Sequence, residues 1–293
     1  MTKVIPKKAY KEKEKRNKEK KKQTQLDLPS IPKLSQSLCK ALYKYKMGAE
    51  CGILIEESYI NKTNLPSSEA QELGNYFEYK ATGQLPRDGH TPHAKTLKNG
   101  KLTLPYQRIH KQVENYQHLM KRLNFEIEQT GYEFNNPKYS GITDVIAIDN
   151  NIKSKDIYKK RIIIDLKTSG LINDKWTDYG WADESIEEKD ELLIQAIHYK
   201  MLAKYEWGID DIPFYFMVFS TKNDWEYKVF RVNVDGDTYR QHYDNLLNIK
   251  TYLDQQLKIG FQPKPSLARY NGCALNKTCL HSTEIPVIQD VYI

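Results

Sequence analysis

Two acids and a lysine stand inside apolar runs, where charge is least expected. "GITDVIAID", residues 141–149, places Asp144 among Ile142, Val145 and Ile146. "RIIIDLKTSG", residues 161–170, sets Asp165 and Lys167 directly after three isoleucines. An unpaired carboxylate in such surroundings is costly. Side chains alternate along a strand, so Asp165 and Lys167 share one face while Leu166 turns to the other, into a core. If the two runs pair, the carboxylates of Asp144 and Asp165 converge. Converging carboxylates repel unless a cation lies between them, and hard oxygen donors suit Mg²⁺ or Mn²⁺. Lys167 would then stand beside the ion, able to hold a water or a phosphate oxygen. Taken singly, each residue has a plainer explanation: a surface ion pair for Asp165 and Lys167, a turn cap for Asp144. Only their joint pattern points to chemistry.

The elements that must position these residues are legible around them. "NFEIEQTGYEF" alternates, and it is followed by the β-branched runs "YSGITDVIAIDN" and "KRIIIDLKTS". Three neighbouring strands in a meander are predicted. A helix follows in "SIEEKDELLIQAIHYKMLAKYEWG", stopped by Gly208. Two further strands, "PFYFMVFST" and "EYKVFRVNV", are joined through "KNDW" and lead to a last helix, "DTYRQHYDNLLNIKTYLDQQL". Upstream, helices are predicted in "LSQSLCKALYKY", in "LPSSEAQELGNYFEYKATG" and in "YQRIHKQVENYQHLMKRL". Ser68 and Gln71 can form a capping box in the second. Residues 84–104, rich in Gly, His, Pro and Lys, read as a loop. Helices, three strands, helix, two strands and helix imply one α/β domain, with a central mixed β-sheet flanked by helices.

The chain has 293 residues, enough for a sizeable core, and 39% of them are hydrophobic, which excludes a wholly disordered protein. Its 21 tyrosines against 8 phenylalanines could pack in a core or stack on bases. Residues 7–23 hold nine lysines and one arginine against three glutamates, an excess equal to the whole chain's +7. Residues 1–28 are therefore expected as a basic, disordered tail, either solvated or drawn to a polyanion such as nucleic acid. There is no run of 18 apolar residues and no apolar signal segment, so a cytoplasmic protein without a membrane partner is expected. Four scattered cysteines do not make a secreted disulfide framework. No G-x-x-x-x-G-K-[ST] loop is present, which excludes a Walker-type ATPase in this chain.

"GITDVIAID" followed about twenty residues later by "IIIDLKTSG" resembles the core of the PD-(D/E)XK nuclease superfamily, in particular its RecB-like branch. A further signature of that branch, Q-x-x-x-Y, is matched by Gln195 and Tyr199 in "LLIQAIHYKMLAKY"; the i, i+4 spacing puts both on one helical face. The branch's G-x-x-x-E element is matched by Gly74 and Glu78 in "LGNYFEYKATG", with Glu72 as a competitor. The likeness extends over residues 34–282 and is most specific over 141–199. It implies a restriction-endonuclease-like core occupying residues 29–293. It also implies that Asp144 and Asp165, the backbone carbonyl of Leu166 and Glu78 bind Mg²⁺ or Mn²⁺. Lys167 would orient the attacking water and stabilise developing charge, and Gln195 and Tyr199 would position the site and contact phosphate. His198 points off that motif face and is expected to pack or to lie on the surface.

Several RecB-like nucleases carry a [4Fe–4S] cluster on one cysteine near the start and three near the end. Cys39 in "LSQSLCKALYKY" matches the first, and Cys273 and Cys279 match the spacing of the last two. The remaining ligand would fall at Tyr270, so Cys51 would have to substitute for it. Reduced thiols, a cluster, and a zinc site of Cys39, Cys273, Cys279 and His281 all stay open.

The expected activity is a Mg²⁺-dependent deoxyribonuclease, an exonuclease acting on single strands or duplex ends in recombination, repair or end processing. It would work alone or beside a separate helicase or recombination protein, in a bacterial cell or a phage-infected host. Two alternatives accompany it. One is a site-specific or nicking endonuclease with a recognition element in residues 84–104. The other is a non-catalytic nucleic-acid-binding protein using the basic arm and the tyrosines.

Overall fold

The computed structural model describes residues 32–63, 65, 67–86, 89–170, 172, 186–263 and 275, and for residues 186–192 the backbone alone. Among them are five long helices: α1 (Gln36–Lys46), α2 (Glu69–Thr82), α3 (Leu104–Arg122), α4 (Ile186–Trp207) and α5 (Gly236–Ile259). Five strands, β1 (Phe125–Glu133), β2 (Ile142–Asp149), β3 (Arg161–Ser169), β4 (Phe214–Ser220) and β5 (Tyr227–Arg231), form one sheet in the order β1-β2-β3-β4-β5. β1, β2 and β3 are antiparallel neighbours, as the meander predicts. β3 and β4 are parallel, with α4 in the connection between them, and β5 returns antiparallel. The α/β class and the mixed central sheet are as expected. The predicted tail, residues 1–28, lies outside the described residues.

Alternation sorts the strand residues between two cores. Val145, Ala147, Ile162, Ile164 and Leu166 face α2 and α3 through Phe77, Ile109 and Tyr116. Ile146, Ile163, Phe214, Phe216 and Val218 face α1, α4 and α5 through Leu42, Ile197, Leu202 and Leu253. Each such aliphatic or aromatic side chain withdrawn from water contributes about 1.5–3 kcal/mol against the chain entropy lost on folding. Tyr45, Tyr76, Tyr106, Tyr116, Tyr139 and Tyr199 are buried in these cores, so much of the tyrosine excess serves packing rather than a base-stacking surface.

Local chemistry marks the helix ends. Ser68 and Gln71 make the predicted capping box, with bonds of 3.2 Å and 2.8 Å, and Gly83 stops α2 at φ +77°. Asp235 caps α5 by accepting from the N–H groups of Asp237 and Thr238 at 3.0 Å and 2.9 Å. Gly208, at φ +69°, follows α4. The described residues of the predicted loop, 84–86 and 89–104, are irregular as expected, apart from a Thr96–Leu102 bridge and the start of α3 at Leu104.

Two features escape the sequence patterns. Leu34–Ser35 pairs in parallel with Tyr139–Ser140, ahead of α1. Residues 52–60 form a helical turn, Gly52–Ile55, that widens into a π turn, Glu56–Ile60. At Gly52 a Cβ would lie 2.4 Å from the carbonyl oxygen of Gln262, so only glycine lets the segment after α5 come this close. No helix among the described residues is long and apolar enough to cross a membrane.

Candidate active site

The ladder between β2 and β3 runs from Ile148 opposite Arg161 to Val145 opposite Ile164 and goes no further. Beyond it the partners part: Ile142 and Thr143 stay with β1, while Asp165 to Ser169 stay with β4. Asp144 and Asp165 stand just past the last rung, one on each strand. Period two places Asp165 and Lys167 in line with Ile163, toward the α1/α4 layer, while the Asp144 carboxyl lies in the field of Glu78 on α2 and Tyr116 on α3.

Each group has a defined partner. The carboxylate of Asp144 accepts the backbone N–H of Leu166 at 2.7 Å, where the ladder leaves that donor without a strand partner. Asp165 is 4% exposed and forms an ion pair with Lys167. The amide nitrogen of Gln195 donates to the other oxygen of Asp165. Leu166 is buried against α2 and α3, as its parity predicts.

The electrostatics are those of crowded negative charge. The Asp144 carboxyl is held well above its ordinary value, first by burial and then by the charges of Asp165 and Glu78. Lys167 and the Leu166 N–H act the other way on it. For Lys167 burial works against the ammonium, but Asp165, Asp144 and Glu78 outweigh it, and its pKa is raised. Glu78 on α2 thus lies within the field of the strand residues. Glu72 turns elsewhere, to Lys95 at 2.7 Å.

Gln195 and Tyr199 are buried, at 1% and 3% exposed. Tyr199 donates its hydroxyl to the carbonyl of Ile142 at 2.7 Å, at the start of the strand that carries Asp144. A Cβ on Gly141 would sit 2.9 Å from the Tyr199 ring and 2.6 Å from Leu202, so this glycine is required for α4 to seat against β2. The G-x-x-D and Q-x-x-x-Y elements are therefore in contact. His198 is fully buried and does pack: Nε2 lies 2.8 Å from the Ser140 carbonyl, and burial lowers its pKa to about 4.

Lys40 was not singled out by the sequence patterns, yet its ammonium donates to the Gln195 carbonyl oxygen at 3.3 Å. An ammonium can only donate, so it fixes that amide with its NH₂ toward Asp165. The contact joins residues 155 positions apart, and Lys40 alone carries no signal beyond its place on α1.

Asp144 and Asp165 offer the hard oxygens that a divalent cation would use, and burial with mutual repulsion favours a positive charge between them. In the geometry described, Lys167 and the Leu166 N–H hold those oxygens. Among the described residues no three His, Cys, Asp or Glu side chains are gathered closely enough to enclose an ion by themselves. Cys39 is buried, 3.9 Å from Nδ1 of His198, and burial pushes its thiol pKa upward. Cys51 is half-buried at the start of the short helical turn. Cys273, Cys279 and His281 lie outside the described residues.

The fold has a solved counterpart. The crystal structure of a candidate exonuclease from Eubacterium rectale superposes with a TM-score of 0.55 at 18% identity, covering 90% of this chain and 91% of that one. At that identity the likeness establishes a shared fold. A second crystal structure, SSO0001, reaches only a TM-score of 0.27 at 15% identity, over 61% of this chain and 76% of that one, and bears no argument. No family model and no curated protein matches the chain.

Proposed function

We propose that this chain is a metal-dependent nuclease that hydrolyses DNA phosphodiesters, an exonuclease of the RecB-like PD-(D/E)XK kind. The observation that carries the proposal is the parting of β2 and β3, which brings Asp144, Asp165 and Lys167 together at the gap with Gln195 fixed against Asp165. That the shared fold includes a protein described as a candidate exonuclease is in keeping with it.

Asp144 and Asp165, with the Leu166 carbonyl and Glu78, would hold Mg²⁺ or Mn²⁺. Such an ion lowers the pKa of a bound water and screens the phosphodiester charge. The chain's own residues do the rest. Lys167, kept protonated by the carboxylates beside it, orients the attacking water and stabilises the charge that builds on the phosphoryl oxygens. The P–O bond to the leaving oxygen breaks as the water oxygen bonds to phosphorus; the water gives up a proton to solvent, and the leaving oxygen takes up one from solvent. Gln195 keeps Asp165 in one rotamer, and Tyr199 holds the backbone on which Asp144 is mounted. Recombination, repair or end processing in a bacterial or phage-infected cytoplasm is the setting we assign, alone or beside a helicase.

The test uses linear, closed-circular and single-stranded DNA with Mg²⁺, Mn²⁺ or EDTA, beside an Asp165→Ala variant. Cleavage of linear DNA that needs the metal and is lost in the variant is expected. Cleavage persisting in EDTA or in Asp165→Ala would overturn the metal mechanism. Cutting of closed circles at fixed sites would overturn the exonuclease assignment, and binding without any cutting would overturn the nuclease.

A further inference from the structure

The turn between β4 and β5 is held from two sides. Gln112 of α3, fully buried, faces its amide nitrogen to the carbonyls of Ser220, Asn223 and Glu226 at 3.1, 2.7 and 3.0 Å. Its oxygen accepts from the Asn115 amide at 2.9 Å, and that same amide donates to the Asp224 carbonyl at 2.7 Å. On the other side, the Ser220 hydroxyl accepts the N–H groups of Lys222 and Asn223 at 3.2 and 3.1 Å. A buried amide and a turn committed to each other in this way leave the loop little freedom. What the turn displays is Trp225, an indole left 72% exposed.

The turn adjoins the candidate active site. Ser220 stands opposite Ser169 in the parallel ladder, and the N–H of Thr221 donates to the Ser169 carbonyl at 2.9 Å. The Lys222 side chain passes over Gly170, its Cε 3.5 Å from where a Cβ would be. Asp165 is opposite Phe216, four residues before Ser220, so the turn begins roughly 13 Å along the sheet from the carboxylates at the usual rise per residue. Of the turn's two acids, Glu226 accepts from Asn223 at 2.9 Å, and Asp224 is exposed with its carbonyl held by Asn115. A lysine and a solvent-facing indole therefore stand on one turn, next to the end of the strand that carries Asp165 and Lys167.

We propose that Trp225 is a stacking platform for an unpaired base of single-stranded nucleic acid, with Lys222 on an adjoining phosphate, so that the strand is gripped as its end reaches the site. This rests on the nuclease assignment above. Stacking on a ring is indifferent to which base is present but requires that the base be unpaired, since a duplex hides the base faces. A turn ordered in advance adds affinity because little freedom remains to be lost on binding.

Affinity for a fluorescently labelled single-stranded oligonucleotide would be measured with the full chain in an Asp165→Asn background with Mg²⁺, beside Trp225→Ala and Trp225→Phe. Loss of one stacked base is worth about 1–3 kcal/mol, so Trp225→Ala should raise Kd about 5- to 150-fold. Trp225→Phe should recover most of the affinity, and binding of a blunt duplex should not change. Oligonucleotide should quench tryptophan emission in the parent and less so in Trp225→Phe, the chain having four tryptophans in all. An unchanged Kd in Trp225→Ala, or an equal loss on the blunt duplex, would overturn the platform. The two proposals fail separately: Trp225-dependent binding without any cleavage overturns the nuclease alone, and cleavage with unaltered KM and Kd in Trp225→Ala overturns the platform alone.

Discussion

Both ends of β3 carry an ion pair, and the two are built on opposite plans. At the start of the strand Arg161 donates from two nitrogens to both oxygens of Glu128, at 2.7 and 2.5 Å, and lies over the rings of Tyr158 and Trp207. One cation meets one carboxylate in a planar fork, with aromatic faces as further support. Toward the other end Lys167 meets Asp165, but Asp144 and Glu78 act in the same field. The imbalance persists in Asp144, whose carboxyl stays raised in spite of Lys167 and the Leu166 N–H. A pair made for stability is complete. On the assignment proposed above, the pair meant for chemistry is held short of completion by the scaffold, and so stays receptive to positive charge.

The strongest test of that contrast removes one cation at a time. Lys167→Met should lower kcat about 10²- to 10³-fold, the range for deleting one group that stabilises transition-state charge. Arg161→Met should leave kcat unchanged and lower Tm by roughly 1–4 °C, because it breaks a solvent-accessible bidentate pair worth up to about 1 kcal/mol. Steady-state rates on linear DNA and thermal melts of both variants decide it. If Arg161→Met carried the catalytic loss, the assignment of the two ends would be reversed.

A smaller effect sharpens the same contrast by acting one residue away from the reacting groups. Lys40 donates to the carbonyl oxygen of Gln195, and that contact fixes which way the amide faces. Supporting residues behind metal ligands are worth about 10- to 100-fold, and Lys40, one contact further out, should lie near tenfold. Lys40→Met should lower kcat by about that factor with KM unchanged. Lys40→Arg, which also presents only donors to the amide oxygen, should restore most of it. A rise in KM with kcat intact would instead make Lys40 a substrate contact.

These residues were unequally legible before the fold was known. Period-two alternation was enough to put Asp165 and Lys167 on one face and Leu166 on the other, because it follows from the pleat alone. The helical spacing of Gln195 and Tyr199 likewise depends only on local geometry. The sheet's central mixed character followed from element order and β-branched runs. Lys40 and Gln112 were hidden for a common reason: each acts through a partner more than a hundred residues away, and each is polar where helical patterning looks for apolar residues. His198 was placed correctly off the motif face, but its full burial depends on Ser140 and Cys39 closing over it. Gly52 is needed only because the chain after α5 returns to meet it, which no local pattern records.

The smallest effect concerns the stability held in the crowded end. The Asp144 carboxyl is raised in the folded protein above its ordinary value of 3.8. Below that value it is protonated in both the folded and unfolded states and favours neither. As pH rises, the unfolded chain releases its proton first, so folding loses stability until pH has passed through the folded pKa. Asp144→Asn removes this titration and keeps an oxygen for the Leu166 N–H. Without divalent cations its Tm should equal the parent's near pH 3.5 and exceed it by about 2–4 °C at pH 7.5, the shift that one kcal/mol makes in a domain of this size. His198, neutral when buried and with a folded pKa of about 4, costs stability as pH falls below its ordinary value of 6.5. That loss is common to both proteins and cancels in the difference. A saturating divalent cation should reverse the order by stabilising the parent, which keeps the carboxylate, more than the variant. A parent more stable than Asp144→Asn at pH 7.5 in EDTA would show that this end of β3 is as complete as the other.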